Sequence, residues 1–359
     1  MDFASRLRRV QRAIEDRRLD ALLVSHLPNI RYLCGFTGSS GVLLITLREK
    51  ILFTDGRYTE QARQEVQGTR IRIAKKASLT AAGEWLSDRK NIRRIGIEAS
   101  RMTLADRSTL AKAVSRRVMF IAAPPIVEPL RMVKDADEIS RIRAACQLGA
   151  VLFKKLTSAL RPGVTESQAA GELEFAARHA GAEQMSFPTI VAAGERSALP
   201  HGRASNAAIP VSGFVVCDFG VILAGYCSDM TRTVHIGNAP PDARSGYEAV
   251  RDAQQAALAA VKPGVTAGEV DHAARKLLYN RKLGKYFAHS TGHGLGLEIH
   301  EAPRLAAAQK DVLQPGMVVT IEPGIYLPGK WGVRIEDTVV VTETGCEILT
   351  SCPKDLLIV

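Results

Sequence analysis

The sequence predicts an α/β protein of two domains, the second of which contains an internal repeat. Three observations predict this arrangement. A chain of 359 residues is long for one domain. Residues 1–131 hold 25 Lys and Arg against 13 Asp and Glu, whereas the remaining residues hold 23 against 24. A seven-residue segment also occurs twice, at 159–165 and at 260–266.

Helical and strand patterns alternate through the first domain, which is typical of a layered α/β architecture. Helices are predicted at 3–18, 59–66, 79–89 and 103–114, and strands at 20–25, 41–47, 50–54, 70–74, 94–98 and 117–122. Pro124, Pro125 and Pro129 then interrupt the pattern. We therefore expect a first domain at 1–123, a linker at 124–133 and a second domain at 134–359.

The second domain is predicted to begin with a long helix at 138–160, for which Asp135 is a suitable N-cap. The end of this helix leads into the first copy of the repeat, Ala-Leu-Arg-Pro-Gly-Val-Thr. The second copy, Ala-Val-Lys-Pro-Gly-Val-Thr, follows at an offset of 101 residues. Each copy follows one predicted helix and precedes another, at 166–180 and 267–280, so the domain consists of two similar halves.

Each half also carries a predicted hairpin with one carboxylate on each arm. Asp218 and Asp229 lie on the first hairpin, and Glu322 and Glu336 lie on the second. Side chains that face each other across two strands lie about 5 Å apart. If the two halves face each other about a pseudo-twofold axis, the four carboxylates converge near that axis.

His293 joins these carboxylates as a fifth candidate ligand, in the glycine-rich segment that runs from Thr291 to Glu301. Four carboxylates and one imidazole suit a divalent ion such as Mn, Co or Zn better than a thiolate site does. Two ions that share bridging carboxylates lower the pKa of a bound water and polarise a carbonyl. This chemistry hydrolyses amides.

The motifs around these five residues resemble those of the pita-bread metallopeptidases, the group that includes Xaa-Pro aminopeptidases, Xaa-Pro dipeptidases (prolidases) and methionine aminopeptidases. The two-domain length and the segment Arg31–Gly38, Arg-Tyr-Leu-Cys-Gly-Phe-Thr-Gly, resemble the proline-specific, creatinase-like branch. The resemblance implies a creatinase-like N-terminal α/β domain followed by a pseudo-twofold pita-bread catalytic domain.

The resemblance also implies the roles of the ligands. Asp229 and Glu336 would bridge two divalent ions, with Mn expected and Co or Zn as alternatives. Asp218 would complete the shell of one ion, and His293 and Glu322 that of the other. Glu322 would accept a proton from a water between the metals, and the bridging hydroxide that results would be the nucleophile.

Five further residues are predicted at the site. In the family, histidines at the positions of His201 and His300 line the substrate pocket and stabilise the tetrahedral intermediate. Arg334 would orient a carboxylate ligand. Arg304 matches a prolidase position that meets the C-terminal carboxylate of the substrate. Tyr226 would either line the pocket or pack in the core.

We therefore predict an enzyme that hydrolyses the Xaa-Pro amide bond of short peptides, and the choice between dipeptidase and aminopeptidase stays open. One alternative is a metal-free, creatinase-like amidinohydrolase. Another is a non-enzymatic protein whose basic first domain contacts RNA. The arginines of that domain are dispersed among few aromatic residues, however, so we expect no nucleic-acid partner.

The six cysteines form no C-x-x-C pair, which fits a reducing cytoplasm. The first residues contain no apolar stretch, so no signal peptide is predicted. No apolar run is long enough to predict a membrane span. The expected partners are a proline-containing peptide substrate and, from the family resemblance, a second copy of the chain in a homodimer.

Overall fold

The computed structural model describes residues 1–359 and divides into two compact units, Met1–Arg131 and Met132–Val359. The division falls inside the segment at 124–133 that was predicted as a linker, and one short helix lies in this segment. The elements of the first unit are α1 (Phe3–Asp16), β1 (Ala21–Val24), α2 (Leu27–Cys34), β2 (Val42–Thr46), β3 (Lys50–Asp55), α3 (Thr59–Glu65), β4 (Arg70–Ala74), α4 (Ser78–Ser87), β5 (Arg94–Glu98), α5 (Leu104–Ala113), β6 (Met119–Ala123) and α6 (Glu128–Met132).

The first unit is built on a six-stranded sheet with the order β4-β3-β2-β1-β5-β6. Strand β1 pairs antiparallel with β2 and parallel with β5, so the sheet is mixed. Every helix and strand that the sequence predicts in this unit is present. Helix α2 was not predicted. Its second residue is Pro28, which is well tolerated in the first turn of a helix because the N–H groups there have no partner within the helix.

The second unit contains four long helices and thirteen strands. They are α7 (Ala136–Ala159), α8 (Glu166–His179), β7 (Gln184–Met185), β8 (Ile190–Ala193), β9 (Gly213–Phe219), β10 (Val221–Leu223), β11 (Tyr226–Cys227), β12 (Met230–Ile236), α9 (Pro241–Ala260), α10 (Ala267–Asn280), β13 (Gly292–Gly294), β14 (Glu301–Leu305), β15 (Val318–Ile321), β16 (Gly324–Leu327), β17 (Trp331–Arg334), β18 (Asp337–Val341) and β19 (Cys346–Ile348). No helix of the structure combines the length and the apolar composition needed to cross a bilayer.

The predicted repeat is visible as two copies of one arrangement. In each copy a long helix ends, a Pro-Gly turn follows, and a second helix begins with a Thr N-cap and a capping box. Gly163 and Gly264 have φ angles of 87° and 84°, a region that disfavours side chains with a Cβ. The first copy packs against the sheet β12-β9-β8, and the second packs against β14-β13-β15-β18-β19.

The two sheets place their central antiparallel pairs in corresponding positions. Strand β9 pairs with β12, and the small hairpin β10–β11 lies between them in the chain. Strand β15 pairs with β18, and the hairpin β16–β17 lies between them. The predicted carboxylates lie within or directly beside these four strands, so the repeat determines which residues meet at the site.

Candidate metal centre

Four carboxylates lie in or beside the two central strand pairs. Asp218 is in β9, and Asp229 directly precedes β12. Glu322 directly follows β15, and Glu336 directly precedes β18. Phe219 of β9 pairs with Met230 of β12 in the first sheet. The equivalent pair in the second sheet is Ile321 of β15 with Asp337 of β18.

Three of these carboxylates form a buried cluster. One oxygen from each of Asp218, Asp229 and Glu336 lies within 4.8 Å of the others. Their residues are 8%, 5% and 2% exposed. Asp218 Oδ1, Asp229 Oδ1 and Glu336 Oε1 each have no hydrogen-bond donor. Buried carboxylate oxygens without a partner are costly, and a cation between them removes that cost. The cluster therefore fits a divalent metal ion.

His293 and Glu322 border the same cluster. His293 Nε2 lies 3.4 Å from Glu322 Oε1 and 3.6 Å from Asp229 Oδ2. The other ring nitrogen, Nδ1, is 3.0 Å from the carbonyl oxygen of Gly294 and donates to it. This hydrogen bond keeps the proton on Nδ1 and leaves the lone pair of Nε2 directed at the carboxylates, as in many metal-binding histidines. Imidazole nitrogen and carboxylate oxygen together suit a borderline divalent ion.

The pKa values of four residues at this site, Asp229, Glu336, Glu322 and His293, are shifted towards the neutral forms. Burial raises the pKa of Asp229 and of Glu336 well above their usual range, and the crowding of like charges raises them further. Burial also raises the pKa of Glu322, to about 7. For His293, burial lowers the pKa. In the metal-free chain, therefore, burial and mutual repulsion oppose the charged state of the carboxylates, which a bound cation would stabilise.

Arg334 connects the two halves of the site. Its Nη2 donates to Asp218 Oδ2 at 2.5 Å, and its Nε donates to Thr231 Oγ1 at 3.1 Å. The Thr231 hydroxyl in turn donates to Glu336 Oε2 at 2.7 Å. One buried guanidinium thus fixes one oxygen of Asp218 directly and one oxygen of Glu336 through a threonine. The remaining oxygen of each carboxylate is buried and has no hydrogen-bond donor.

The cluster lies at the wall of a cavity of about 920 Å³. His201 and His300 also line this cavity, and the rings of His293 and His300 are 4.4 Å apart in an edge-to-face arrangement. Burial lowers the pKa of His300, which favours the neutral imidazole with one N–H donor. The sequence predicted both histidines at the site, and both side chains border the cavity.

Arg304 and Tyr226 differ in their positions. Arg304 is exposed, lines the cavity and is the cross-strand partner of His293. Tyr226 is 1% exposed and does not line the cavity. Its hydroxyl donates to Glu138 Oε1 at 2.9 Å, on helix α7. Of the two interpretations of Tyr226, the structure therefore supports packing in the core.

Two residues at the site were not predicted from the sequence. His289 lines the cavity, and its Nε2 accepts a hydrogen bond from Tyr326 at 2.9 Å. The Tyr326 hydroxyl accepts a hydrogen bond from Arg334 at 2.5 Å. Burial lowers the pKa of His289 to about 4, so its imidazole is neutral near pH 7. The one sequence signal was that His289 precedes the candidate ligand His293 by four residues.

Comparison with known proteins agrees with this geometry. Residues 140–343 match the model of metallopeptidase family M24, and residues 6–133 match the model of the creatinase/prolidase N-terminal domain. The chain belongs to metallopeptidase family M24. This membership confirms the predicted enzyme class, and it implies divalent metal ions, which the buried carboxylates fit.

Relatives and solved structures match over nearly their whole length. An uncharacterised peptidase of Bacillus subtilis strain 168, YqhT, is 41% identical over 340 residues, which cover 95% of this chain and 96% of the relative. A structure named Xaa-Pro dipeptidase from Bacillus anthracis has a TM-score of 0.96 at 39% identity and covers 99% of this chain and 100% of that one.

A structure named X-Pro aminopeptidase from Thermotoga maritima has a TM-score of 0.88 at 38% identity, with 96% and 99% of the two chains covered. These likenesses, with the two family matches, confirm the predicted fold of a creatinase-like α/β domain followed by a pita-bread catalytic domain.

Proposed function

We propose that this M24 metallopeptidase hydrolyses the amide bond before proline in short peptides, with two divalent ions per chain. The observation that carries the proposal is the cluster of three buried carboxylates at the wall of a cavity, each with one oxygen that has no hydrogen-bond donor. Proteins of similar structure are named for action on Xaa-Pro substrates, both as a dipeptidase and as an aminopeptidase.

Asp229 and Glu336 are proposed to be shared by the two ions. Asp218 would bind one ion, and His293 and Glu322 would bind the other. When bound, such ions polarise the scissile carbonyl and lower the pKa of water at the site. We propose Mn as the physiological metal, with Co or Zn as alternatives, because carboxylate oxygen and imidazole nitrogen suit all three.

The side chains around the ligands are proposed to complete the chemistry. Glu322, whose pKa burial raises to about 7, would take a proton from the attacking water at its carboxylate. His201 and His300 would donate N–H hydrogen bonds to the carbonyl oxygen as negative charge develops on it. Arg334 would hold Asp218 in its orientation through the 2.5 Å contact.

Metal content and turnover together test this proposal. We expect the purified enzyme to bind two divalent ions per chain and to cleave Ala-Pro or Ala-Pro-Ala when Mn is supplied. Glu322→Gln should lose turnover while the protein remains folded. Glu343→Gln, which changes an exposed glutamate outside the cavity, is the matched control.

The same measurements address the two alternatives. A purified chain that contains no transition ion would favour the creatinase-like amidinohydrolase. A folded chain with no turnover on any Xaa-Pro peptide, with or without Mn, would favour a binding protein. Either result would contradict the proposed peptidase.

Arg304 is proposed to bind the C-terminal carboxylate of the substrate, because it is an exposed guanidinium at the cavity wall and the cross-strand partner of a proposed ligand. Arg304→Ala should raise KM for Ala-Pro about tenfold, the effect of losing a hydrogen bond to a charged group. The KM for Ala-Pro-amide should stay unchanged. Arg161→Ala, at an exposed position outside the cavity, is the control.

Comparison of Ala-Pro, Ala-Pro-Ala and a longer peptide that begins Arg-Pro-Pro would separate dipeptidase from aminopeptidase action. Cleavage of Ala-Pro alone favours a dipeptidase, and release of the first residue from the longer peptide favours an aminopeptidase.

A cytoplasmic location and a homodimer complete the proposal. All six cysteines are unpaired, and four of them are buried, which supports a reducing compartment. The homodimer rests on the family resemblance, and measurement of the molar mass in solution by light scattering would test it.

A further inference from the structure

Two loops carry histidines to the cavity, and each loop is held by a buried carboxylate on the preceding helix. The His201 loop, residues 193–205, follows strand β8. The His289 loop, residues 287–291, precedes strand β13. Glu166 on α8 holds the first loop, and Asp271 on α10 holds the second. Both carboxylate residues are 0% exposed.

Glu166 binds both ends of the His201 loop. Its Oε1 accepts the N–H of Ala193 at 2.8 Å. Its Oε2 accepts the N–H and the hydroxyl of Ser205 at 3.0 and 2.7 Å. Arg196 inside the loop donates through Nε to both oxygens of Glu166 and through Nη2 to the carbonyl oxygen of Arg203 at 2.9 Å. These contacts close the loop around His201.

Asp271 holds the His289 loop in the same manner. Its Oδ1 accepts the N–H and the hydroxyl of Thr291 at 3.2 and 2.8 Å. Its Oδ2 accepts Arg275 Nε at 2.6 Å. The guanidinium of Arg275 then donates to the carbonyl oxygens of Phe287 and His289, and it stacks 4.3 Å from the centre of the Phe287 ring. The backbone of His289 itself is therefore fixed by this pair.

The repeat does not account for this similarity. At the repeat offset of 101 residues, the position of Glu166 corresponds to Ala267, and that of Asp271 corresponds to Ala170. Glu166 is the first residue of α8, whereas Asp271 lies in the second turn of α10. The two pairs are therefore alike because each holds a histidine loop, and not because they occupy the same position in the repeated unit.

None of the four side chains lines the cavity. We infer that Glu166–Arg196 and Asp271–Arg275 are positioning pairs, each of which holds the histidine of its own loop at the cavity wall and supports turnover through that histidine. The effect of the pairs on turnover rests on the proposed function. Their effect on the position of the loops does not, and it can be measured without activity.

Arginine-to-lysine substitution tests each pair while keeping its charge. A lysine at position 275 or 196 can still face the carboxylate, but it has no planar fork with which to reach the loop carbonyls as well. The variants are Arg275→Lys and Arg196→Lys. Arg281→Lys is the matched control, because Arg281 lies at the end of α10 and its guanidinium pairs only with Asp252, at 2.6 Å.

The first readout is amide hydrogen exchange followed by mass spectrometry. Arg275→Lys should speed exchange in residues 287–291 about tenfold, the effect of one or two lost hydrogen bonds, and leave residues 193–205 unchanged. Arg196→Lys should give the reverse pattern, and Arg281→Lys should change neither loop. Equal changes in both loops, or no change in either, would overturn the inference.

The second readout is kinetic. Each loop variant should lower kcat on Ala-Pro about tenfold with KM within about twofold. His201 is proposed to stabilise developing charge, which acts mainly in the transition state. His289 supports Arg334, and through it Asp218, by its hydrogen bond with Tyr326. Faster loop exchange with unchanged kcat would overturn the statement about turnover. If the parent enzyme cleaves no Xaa-Pro peptide, the proposed function fails and the exchange data alone decide whether the pairs position the loops.

Thr291→Val provides a milder variant, should the arginine variants not fold. It removes only the hydroxyl that donates to Asp271 and nearly conserves volume. It should speed exchange in residues 287–291 by a smaller factor than Arg275→Lys. Thr291→Ser, which keeps the hydroxyl, should restore the parent rate.

Discussion

Glu336 and Asp337 are neighbours in the chain and both are buried, at 2% and 0% exposed, but their carboxylates have opposite environments. Asp337 is fully paired. Its Oδ1 accepts Arg232 Nη2 at 2.7 Å, and its Oδ2 accepts Gln254 Nε2 at 2.8 Å and Lys354 Nζ at 2.7 Å. Glu336 Oε2 accepts only the hydroxyl of Thr231, and its Oε1 has no donor.

Successive side chains of an extended strand point to opposite faces, so one residue step separates these two environments. A buried carboxylate that the protein itself neutralises stabilises the fold. A buried carboxylate that the protein leaves without a partner costs stability and requires a ligand from outside. The contrast supports the proposal that Glu336 belongs to a binding site, whereas Asp337 belongs to the framework, although both are buried acids.

Substitution of Glu336 by Gln is expected to have the largest effect. Loss of a residue that merely supports a ligand already costs about 10–100-fold in metal affinity or activity. Loss of a direct ligand should therefore lower kcat on Ala-Pro by about a thousandfold or more and abolish stoichiometric metal binding. The metal-free variant should unfold at the same or a higher urea concentration than the parent, because one crowded carboxylate is gone. Retained metal at two ions per chain would contradict this expectation.

Substitution of Asp337 by Asn should have the opposite profile. It leaves the buried Arg232 and the partly exposed Lys354 against a neutral amide, and removal of one partner from a buried ion pair costs about 3 kcal/mol. Urea unfolding of the metal-free protein measures this loss directly. The folded fraction should still bind metal at the parent stoichiometry. The control is again Glu343→Gln, and an unchanged unfolding midpoint for Asp337→Asn would show that the network contributes little.

The contrast between these two neighbours also shows what sequence alone could predict. Asp218, Asp229, Glu322 and Glu336 were predicted to meet because they occupy corresponding arms of a repeated hairpin, and the structure clusters Asp218, Asp229 and Glu336. His289 and Tyr326 were not predicted, because their roles depend on the contact of His289 with Tyr326 and of Tyr326 with Arg334, which no local pattern describes.

Tyr226 illustrates the same limit. Its place just before the Asp229 strand was compatible with a position in the cavity wall or in the core. Only the packing of β11 near α7 distinguishes the two. Helix α2 is a different case. It contains a proline in its first turn, and a proline is also typical of a loop, so the local pattern did not distinguish the two.

Metal addition should stabilise the parent protein and Asp337→Asn but not Glu336→Gln. A ligand at 100 times its dissociation constant stabilises a protein that binds it only when folded by about 2.7 kcal/mol. We expect a rise of this size in the unfolding free energy of the parent and of Asp337→Asn when Mn is added to chelator-treated protein. Glu336→Gln should show no rise, and stabilisation of all three proteins alike would mean that Mn binds elsewhere.

The smallest expected effect concerns pH in the absence of metal. Burial raises the pKa of Glu322 to about 7 and raises those of Asp229 and Glu336, so the folded chain binds protons that the unfolded chain has released. A group whose pKa is higher in the folded state contributes stability at low pH, and this contribution is lost as pH rises through the folded pKa.

The histidines act in the opposite direction, but only at lower pH. Burial lowers the pKa values of His289 and His293, so their contribution is lost as pH falls below about 6.5, the usual pKa of histidine. Above that pH they are neutral in both states, and the carboxylates dominate. Between pH 6.5 and 8 the unfolding free energy of the chelated protein should therefore fall by about 1–2 kcal/mol.

Urea unfolding at pH 6.5, 7.2 and 8.0 in the presence of a chelator measures this slope. Glu322→Gln should flatten it, whereas Glu343→Gln should leave it unchanged. With saturating Mn the sign should reverse, because the ligands must be deprotonated to bind a cation and metal affinity therefore increases with pH. A chelated protein that becomes more stable between pH 6.5 and 8 would mean that these carboxylates are already charged without metal, and Glu336 would then not differ from Asp337 in the way its missing partner suggests.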